Sequence, residues 1–148
     1  MQLTRFTDYA LRTLLYLGTH PDEVIPASAI SDAFDISPDH LVKAAKWLTQ
    51  RGYVRASRGA GGGLMLARAP SSIRIGALVR ETEPHAGVLE CFEPEVDTCK
   101  LSASCMLKRA LAEATRAFFD VLDGYTLADL LSNRDQLVQL LPRVGRRA

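Results

Sequence analysis

The chain has no apolar run near the ~20 residues that a membrane-spanning helix needs, and its start lacks the basic-then-apolar pattern of a secretory leader. Cytoplasmic residence is the resulting expectation. Catalytic signatures are missing as well. The glycines at 59–63 are not followed by the Lys-Ser/Thr of a phosphate loop, and no nucleophile–base pairing or metal-hydrolase motif occurs, which argues against an enzyme. Acidic residues are absent from 41–80, a stretch that carries Lys43, Lys46, Arg51, Arg55, Arg58, Arg68, Arg74 and Arg80. Basic residues are absent in turn from 81–99, where Glu81, Glu83, Glu90, Glu93, Glu95 and Asp97 fall. Ten basic residues stand against six acidic ones in 1–80, and eight against eleven in 81–148, so a net charge of +1 conceals two halves of opposite sign. Such segregation points to a front half that binds a polyanion and a back half employed differently. Cysteine is scarce too: all three lie within CFEPEVDTCKLSASC, residues 91–105.

What is present reads mainly as helix. At 148 residues the chain can bury one core, or a small domain plus an assembly element. TRFTDYALRTLLYLGT, residues 4–19, places Phe6, Tyr9, Ala10, Thr13, Leu14 and Leu17 at helical spacing, with Thr4 or Thr7 as cap. SAISDAF (28–34) predicts a short second helix with Ser28 as N-cap. DISPDH follows, and Ser37 before Pro38 gives the N-cap and N1 pair that opens a third helix, running to about Gln50 and stopped at Gly52. Two short helices closely joined, the second basic, are the pattern of a helix-turn-helix. Leu41, Val42, Ala45 and Leu48 are the expected buried stripe of the second, with Asp39, His40, Lys43 and Lys46 outside. YVRAS and GLMLAR are strand-like runs around RGAGGG, whose glycines permit positive φ and close backbone approach at a hairpin tip. A basic hairpin directly after a helix-turn-helix is a winged helix.

Beyond the wing, Ile73 to Glu83 predicts a further helix ending before Pro84, and the cysteine loop spans about 85–104. SCMLKRALAEATRAFFDVLDG predicts a long helix capped by Ser104 and stopped at Gly124, striped by Leu107, Leu111, Ala114, Phe118 and Leu122 and widened by Ala110, Ala117 and Val121. Short helices are expected from about Thr126 and over 134–141, then a loose tail. The fold class is therefore mainly α with a small β-hairpin. Its division is a winged helix-turn-helix domain at 1–83, a cysteine loop at 84–104, and a dimerisation helix with C-terminal helices at 105–148. A stripe this wide can pack on its own winged domain or on a twin helix. The twin is favoured, because helix-turn-helix dimers set two recognition helices about 34–36 Å apart, on successive major-groove faces.

For double-stranded DNA, the helix at 38–50 enters the major groove, with Ser37, Asp39, His40 and Lys43 toward base edges and nearby phosphates. Arg58 and Gly59 at the wing tip suit the minor groove, where narrow tracts attract arginine. Lys46, Arg51 and Arg55 read as phosphate contacts, which position without specifying sequence.

The cysteine spacing is C-x7-C-x5-C. A disulfide framework leaves one cysteine over and does not suit a cytoplasmic chain. Buried idle thiols do not fit a loop rich in Glu, Asp, Ser and Lys, and its carboxylates oppose thiolate formation unless a cation offsets them. Zinc usually takes four ligands in short-spaced pairs, and neither pair nor fourth ligand is evident. Iron–sulfur clusters tolerate looser spacing but normally take four protein ligands. Three cysteines then leave the fourth to a non-thiolate side chain or to another subunit, a labile arrangement suited to a sensor.

MQLTRFTDYALR, RGAGGG, IRIGALVRETEP, VLECF, the three cysteines followed by MLKRAL, and LDGYTLADL occur in this order within about residues 1–132. In that order they resemble the nitric-oxide-sensitive repressors (NsrR type) of the iron–sulfur winged-helix regulators, a family that includes the cluster-biogenesis repressor (IscR type). The resemblance implies a homodimer with one [4Fe–4S] cluster per subunit, held by Cys91, Cys99 and Cys105 and by an acidic residue from the partner's first helix, which matches Asp8. It implies repression at a palindromic operator, relieved when nitric oxide attacks the cluster. Arg12, one turn beyond Asp8, is the expected partner of that carboxylate in the cluster-free state. The cluster-biogenesis type carries a histidine shortly after its third cysteine, and here none of His20, His40 and His85 does so. A [2Fe–2S] centre is the secondary expectation, as an oxygen-degraded form, and His85 is a disfavoured ligand. The rivals are a winged-helix regulator of iron or cluster supply, and a metal- or redox-handling protein whose winged domain makes protein contacts.

Overall fold

A computed structural model describes residues 2–59, 61–83 and 88–141 of the chain. Its first helix, α1 (Arg5–Thr19), starts where the threonines allow: the Thr4 hydroxyl accepts the Thr7 N–H, which leaves Thr7 to turn inward, fully buried. Ala10, Leu14 and Leu17 continue the buried face. The second helix, α2 (Ala27–Phe34), begins one residue before the expected cap, so Ser28 lies inside it and Pro26 occupies the cap position without a side-chain bond. The cause is a backbone bridge. Ile25 is paired with Leu64, and the chain enters the helix directly from that pairing through the fixed φ of Pro26.

Asp35 ends α2 in the left-handed region at φ 51°, a conformation aspartate tolerates better than most residues. The buried Ser31 hydroxyl donates to the Ile36 carbonyl, and the Ile36 N–H returns to the Ser31 carbonyl at 3.0 Å, so the turn is closed from both sides. Helix α3 (Pro38–Gln50) follows with Ser37 at the cap position, though its hydroxyl makes no capping bond. The buried stripe is Leu41, Ala44, Ala45 and Leu48. Val42 was expected in it and is 55% exposed. The i, i+3, i+4, i+7 row through Leu41 selects Ala44 instead and turns Val42 outward beside Lys43 and Lys46. Gly52, at φ 71°, reverses the chain into the wing.

The wing is β1 (Val54–Ser57) antiparallel to β2 (Gly63–Leu66), with Val54 opposite Leu66 and Ser57 opposite Gly63. The two reasons offered for its glycines divide between them. Gly59 and Gly61 adopt positive φ of 95° and 83°. Gly62 and Gly63 are crowded instead: a Cβ on Gly63 would lie 2.4 Å from the Ile25 carbonyl oxygen.

Helix α4 (Ile75–Thr82) starts two residues later than expected, because Ile73 and Arg74 are extended and pair with the segment after the long helix. Leu127 N–H donates to the Ile73 carbonyl at 2.8 Å, and Ile75 N–H to the Tyr125 carbonyl at 3.0 Å. The long helix is α5 (Met106–Asp123), followed by α6 (Leu127–Leu130), capped reciprocally by Thr126 and Asp129, and α7 (Arg134–Leu140). Arg134 ties α7 to the end of α1 by donating twice to the Thr19 carbonyl. The core gathers Leu14, Leu17, Ile30, Leu41, Leu48, Val54, Ile73, Leu78 and Leu127, each contributing about 1.5–3 kcal/mol on burial.

Helix α5 stands apart from that core except at its C-terminal end. Phe119 is its one buried side chain, and Arg80 lies over the Phe119 ring at 4.6 Å while its guanidinium donates to both Asp123 carboxylate oxygens at 2.7 and 2.6 Å. Hydrogen bonding from Arg80 holds the Asp123 carboxyl below its ordinary value. Gly76 makes this approach possible, since a Cβ there would lie 2.1 Å from an Asp123 oxygen. Of the expected stripe, Leu107, Ala110, Ala114, Ala117 and Val121 remain exposed, while Phe118 and Leu122 pack against the core. Among the described residues no helix is long and apolar enough to cross a membrane.

Candidate nucleic-acid interface and cysteine site

The basic residues expected to meet DNA lie on α3 and the wing. Ser37, Asp39, His40, Lys43 and Lys46 are all exposed, as are Arg51, Arg55, Arg58 and Gly59. Two of them are engaged. His40 stacks on Tyr9 of α1 with ring centroids 5.9 Å apart, and Arg51 lies over the Trp47 ring at 5.5 Å with Glu81 at 3.7 Å. Trp47 in turn meets Phe6 edge-on at 5.7 Å and stacks on Tyr53 at 6.2 Å. Helix α3 is thus gripped from α1 by Phe6 and Tyr9, which flank the Thr7–Asp8 pair in the first turns of α1.

Arg68 had no assigned role. It donates to the Gly52 and Arg51 carbonyls at 2.8 and 2.6 Å and covers the Tyr53 ring at 4.6 Å, which fastens the base of the wing to the end of α3. Only its place in the basic run could have drawn attention to it. The Tyr53 hydroxyl donates to Glu81 at 3.0 Å, so α4 braces the same junction.

Asp8 lies in the first turn of α1, where the helix dipole favours an acid. Its carboxylate is paired with Arg12, whose Nε donates to Oδ1 at 2.8 Å. Both side chains are partly exposed, so the pair contributes only a few tenths of a kcal/mol. The turn that carries it is fixed from α4: one oxygen of Glu83 accepts from the Thr4 N–H at 2.6 Å, from the Thr4 hydroxyl at 2.8 Å, and from the Thr7 hydroxyl.

Cys91, Cys99 and Cys105 are free thiols, the first and third half-buried and the second exposed. Cys91 lies on a 3-10 turn, Glu90–Phe92, and a second such turn, Ser102–Ser104, follows Cys99. Ser104 is used in that turn and does not cap α5. The cap is Cys105, whose sulfur accepts the Lys108 N–H at 3.4 Å. Three unpaired thiols are a donor set that suits an iron–sulfur cluster. Among the described residues no three His, Cys, Asp or Glu side chains converge on a single point as one metal ion requires. His85 lies outside the described residues.

In the sequence Asp97 is one acid of an acidic run. Its Oδ1 accepts the Cys99 N–H at 3.0 Å and the Ser102 hydroxyl at 2.8 Å, and Oδ2 faces Lys108 Nζ at 3.3 Å. Hydrogen bonding from Ser102, then from the Cys99 amide, holds its carboxyl below the usual value.

The family model Rrf2, described as an iron-dependent transcriptional regulator, matches residues 3–133. The chain belongs to the Rrf2 family. It is 48% identical over 142 residues to the HTH-type transcriptional regulator NsrR of Geobacillus kaustophilus, covering 95% of this chain and 97% of that one. It is 42% identical to the protein of the same name from Bacillus subtilis, again over 95% and 97%. Among solved structures it resembles T. potens IscR, with a TM-score of 0.71 at 22% identity over 93% and 90% of the two chains. It also resembles CymR, the global cysteine regulator of B. subtilis, with a TM-score of 0.69 at 23% identity over 90% and 98%. At that identity these two speak for the winged-helix fold alone. As an Rrf2 protein with such relatives, the chain is a DNA-binding transcriptional regulator and not an enzyme.

Proposed function

We propose that this Rrf2 protein is a homodimeric repressor whose operator binding responds to nitric oxide through a [4Fe–4S] cluster. Cys91, Cys99 and Cys105 would hold the cluster, with Asp8 contributed by the partner subunit. Bound there, the cluster supplies iron with one non-thiolate ligand, the position open to attack by nitric oxide. In this reading residues 1–83 form the DNA-binding domain, 84–104 the cluster loop, and 105–148, which open on the third cysteine ligand, the dimerisation helix and C-terminal helices.

The observation that carries the proposal is the place of Asp8. It lies on α1 between Phe6, packed on Trp47, and Tyr9, stacked on His40. Whatever holds or releases the Asp8 carboxylate therefore acts on the helix against which the recognition helix rests. Arg12 offers the competing partner at 2.8 Å, so the carboxylate has two alternative engagements and the chain a two-state element. The exposed stripe of Met106, Leu107 and Val121 supports a twin helix as its cover. A two-fold dimer matches a palindromic operator.

On DNA, Asp39, His40 and Lys43 face the major groove, and Val42 adds an apolar group of the kind that meets a thymine methyl. Lys46, Arg51 and Arg55 neutralise phosphates, and Arg58 with Gly59 enters the minor groove. The test is selection of an operator from random duplex DNA by anaerobically purified protein, followed by affinity measurements at several salt concentrations with and without nitric oxide. Sequence-specific, salt-dependent binding that nitric oxide abolishes supports the proposal. Binding indifferent to nitric oxide but lost on iron limitation assigns the protein to sensing of iron or cluster supply. Failure to select any sequence points to a metal- or redox-handling protein.

A further inference from the structure

We infer that Asp97 is a positioning residue that presets two of the three cysteine ligands, Cys99 and Cys105, relative to each other; the inference rests on the cluster reading above. The acidic insert between Cys91 and Cys99 holds Glu93, Glu95 and Asp97, and one of these carboxylates is built into the loop. The Asp97 side chain is only 16% exposed. It gathers donors from three places: the Cys99 amide at 3.0 Å, the Ser102 hydroxyl at 2.8 Å and the Lys108 ammonium at 3.3 Å. Lys108 closes the bracket, because its own backbone N–H donates to the Cys105 sulfur at 3.4 Å. One carboxylate and one lysine thus connect the backbone of the second cysteine to the sulfur of the third.

The 3-10 turn between them adds a further tie, with the Ser102 N–H on the Cys99 carbonyl at 3.1 Å. The Asp97 carboxylate is itself matched by the Lys108 ammonium and satisfied by an amide and a hydroxyl. Cys91 lies on its own turn, Glu90–Phe92, outside this bracket. Cys99 and Cys105 are the preset pair of the cysteine set, and the Cys91 turn supplies its third member.

The experiment compares wild type, Asp97→Ala, Asp97→Asn and the control Glu95→Ala, each reconstituted anaerobically with iron and sulfide. The readouts are visible circular dichroism and the rate of iron loss to a strong chelator, with thermal melts of the cluster-free chains to confirm that each folds. Asp97→Ala is expected to lose iron about 10- to 100-fold faster, the effect typical of removing a partner that orients metal ligands, and to alter the visible dichroism. Asp97→Asn keeps an acceptor for Cys99 and Ser102 and is expected to recover most of that loss, while Glu95→Ala matches wild type. Iron loss from Asp97→Ala at the wild-type rate, or equal losses from Asp97→Ala and Glu95→Ala, overturns the inference while the cluster reading stands. Wild type that takes up no cluster removes both.

Discussion

Gly63→Ala tests how the wing is held to the body of the protein. The added Cβ would lie 2.4 Å from the Ile25 carbonyl oxygen, 2.6 Å from its carbon and 2.9 Å from the Pro26 nitrogen. All three are backbone atoms, with no rotamer to absorb the clash, so β2 must draw away from residue 25. Two hydrogen bonds hold it there, Ile25 N–H to the Leu64 carbonyl at 2.8 Å and Leu64 N–H to the Ile25 carbonyl at 2.7 Å. Their loss costs about 0.5–1.5 kcal/mol each. Alanine returns about 0.4–1 kcal/mol by restricting the unfolded chain. The expected net destabilisation is about 1–2 kcal/mol, since strand separation relieves the overpacking. With a urea m-value of about 1–3 kcal/mol per M, the midpoint falls by about 1 M at unchanged m. The displaced wing weakens DNA binding in the same variant. A midpoint equal to or above wild type would refute the pairing of Ile25 with Leu64 as the anchor of the wing.

Three further outcomes follow from named contacts. Asp8→Ala changes stability by less than about 0.5 kcal/mol, because the Arg12 pair is an exposed i, i+4 contact, yet it uncouples DNA affinity from cluster state; an unaltered nitric oxide response would sink the ligand assignment. Leu107→Glu places a charge on the exposed stripe of α5 and is expected to sediment as a monomer at concentrations where wild type is a dimer, while its fold by circular dichroism is unchanged; a dimer of wild-type affinity speaks against this face. Asp123 is held below its ordinary value by Arg80, so its contribution is complete above the usual carboxylate range, about pH 4, and is lost as pH falls through its lowered value. Asp123→Asn should flatten that part of the acid-unfolding curve, and an identical pH profile would contradict the latch.

The helices were readable where a local signal marks the end: Thr4 at the start of α1, Pro38 at the start of α3, Gly52 after it. Elsewhere a distant partner overrules the local pattern. Ser28 looks like a cap until Ile25 is seen paired with Leu64, and Ile73 looks helical until Leu127 claims its carbonyl. Ser104 outranks cysteine as a capping residue, since sulfur is a weak acceptor, but the preceding 3-10 turn moves the cap to Cys105. Val42 against Ala44 is a choice within one turn that hydrophobicity alone decides wrongly. The Asp8–Arg12 spacing is legible because i, i+4 neighbours on a helix meet. Asp97 is not, because its partners at 99, 102 and 108 follow no period and one of them lies on another element. Arg68 was hidden for the same reason: it acts on carbonyls sixteen and seventeen residues away.

In the proposed dimer, three cysteines of each chain hold a cluster whose remaining ligand comes from the partner subunit. Native mass spectrometry of anaerobically purified protein, before and after stoichiometric nitric oxide, tests it most directly. The expected result is a dimer carrying one [4Fe–4S] cluster per subunit, with the mass of the cluster-bearing species changed by nitric oxide. Zinc in its place, no metal under strict anaerobiosis, or a [2Fe–2S] dimer indifferent to nitric oxide would contradict it.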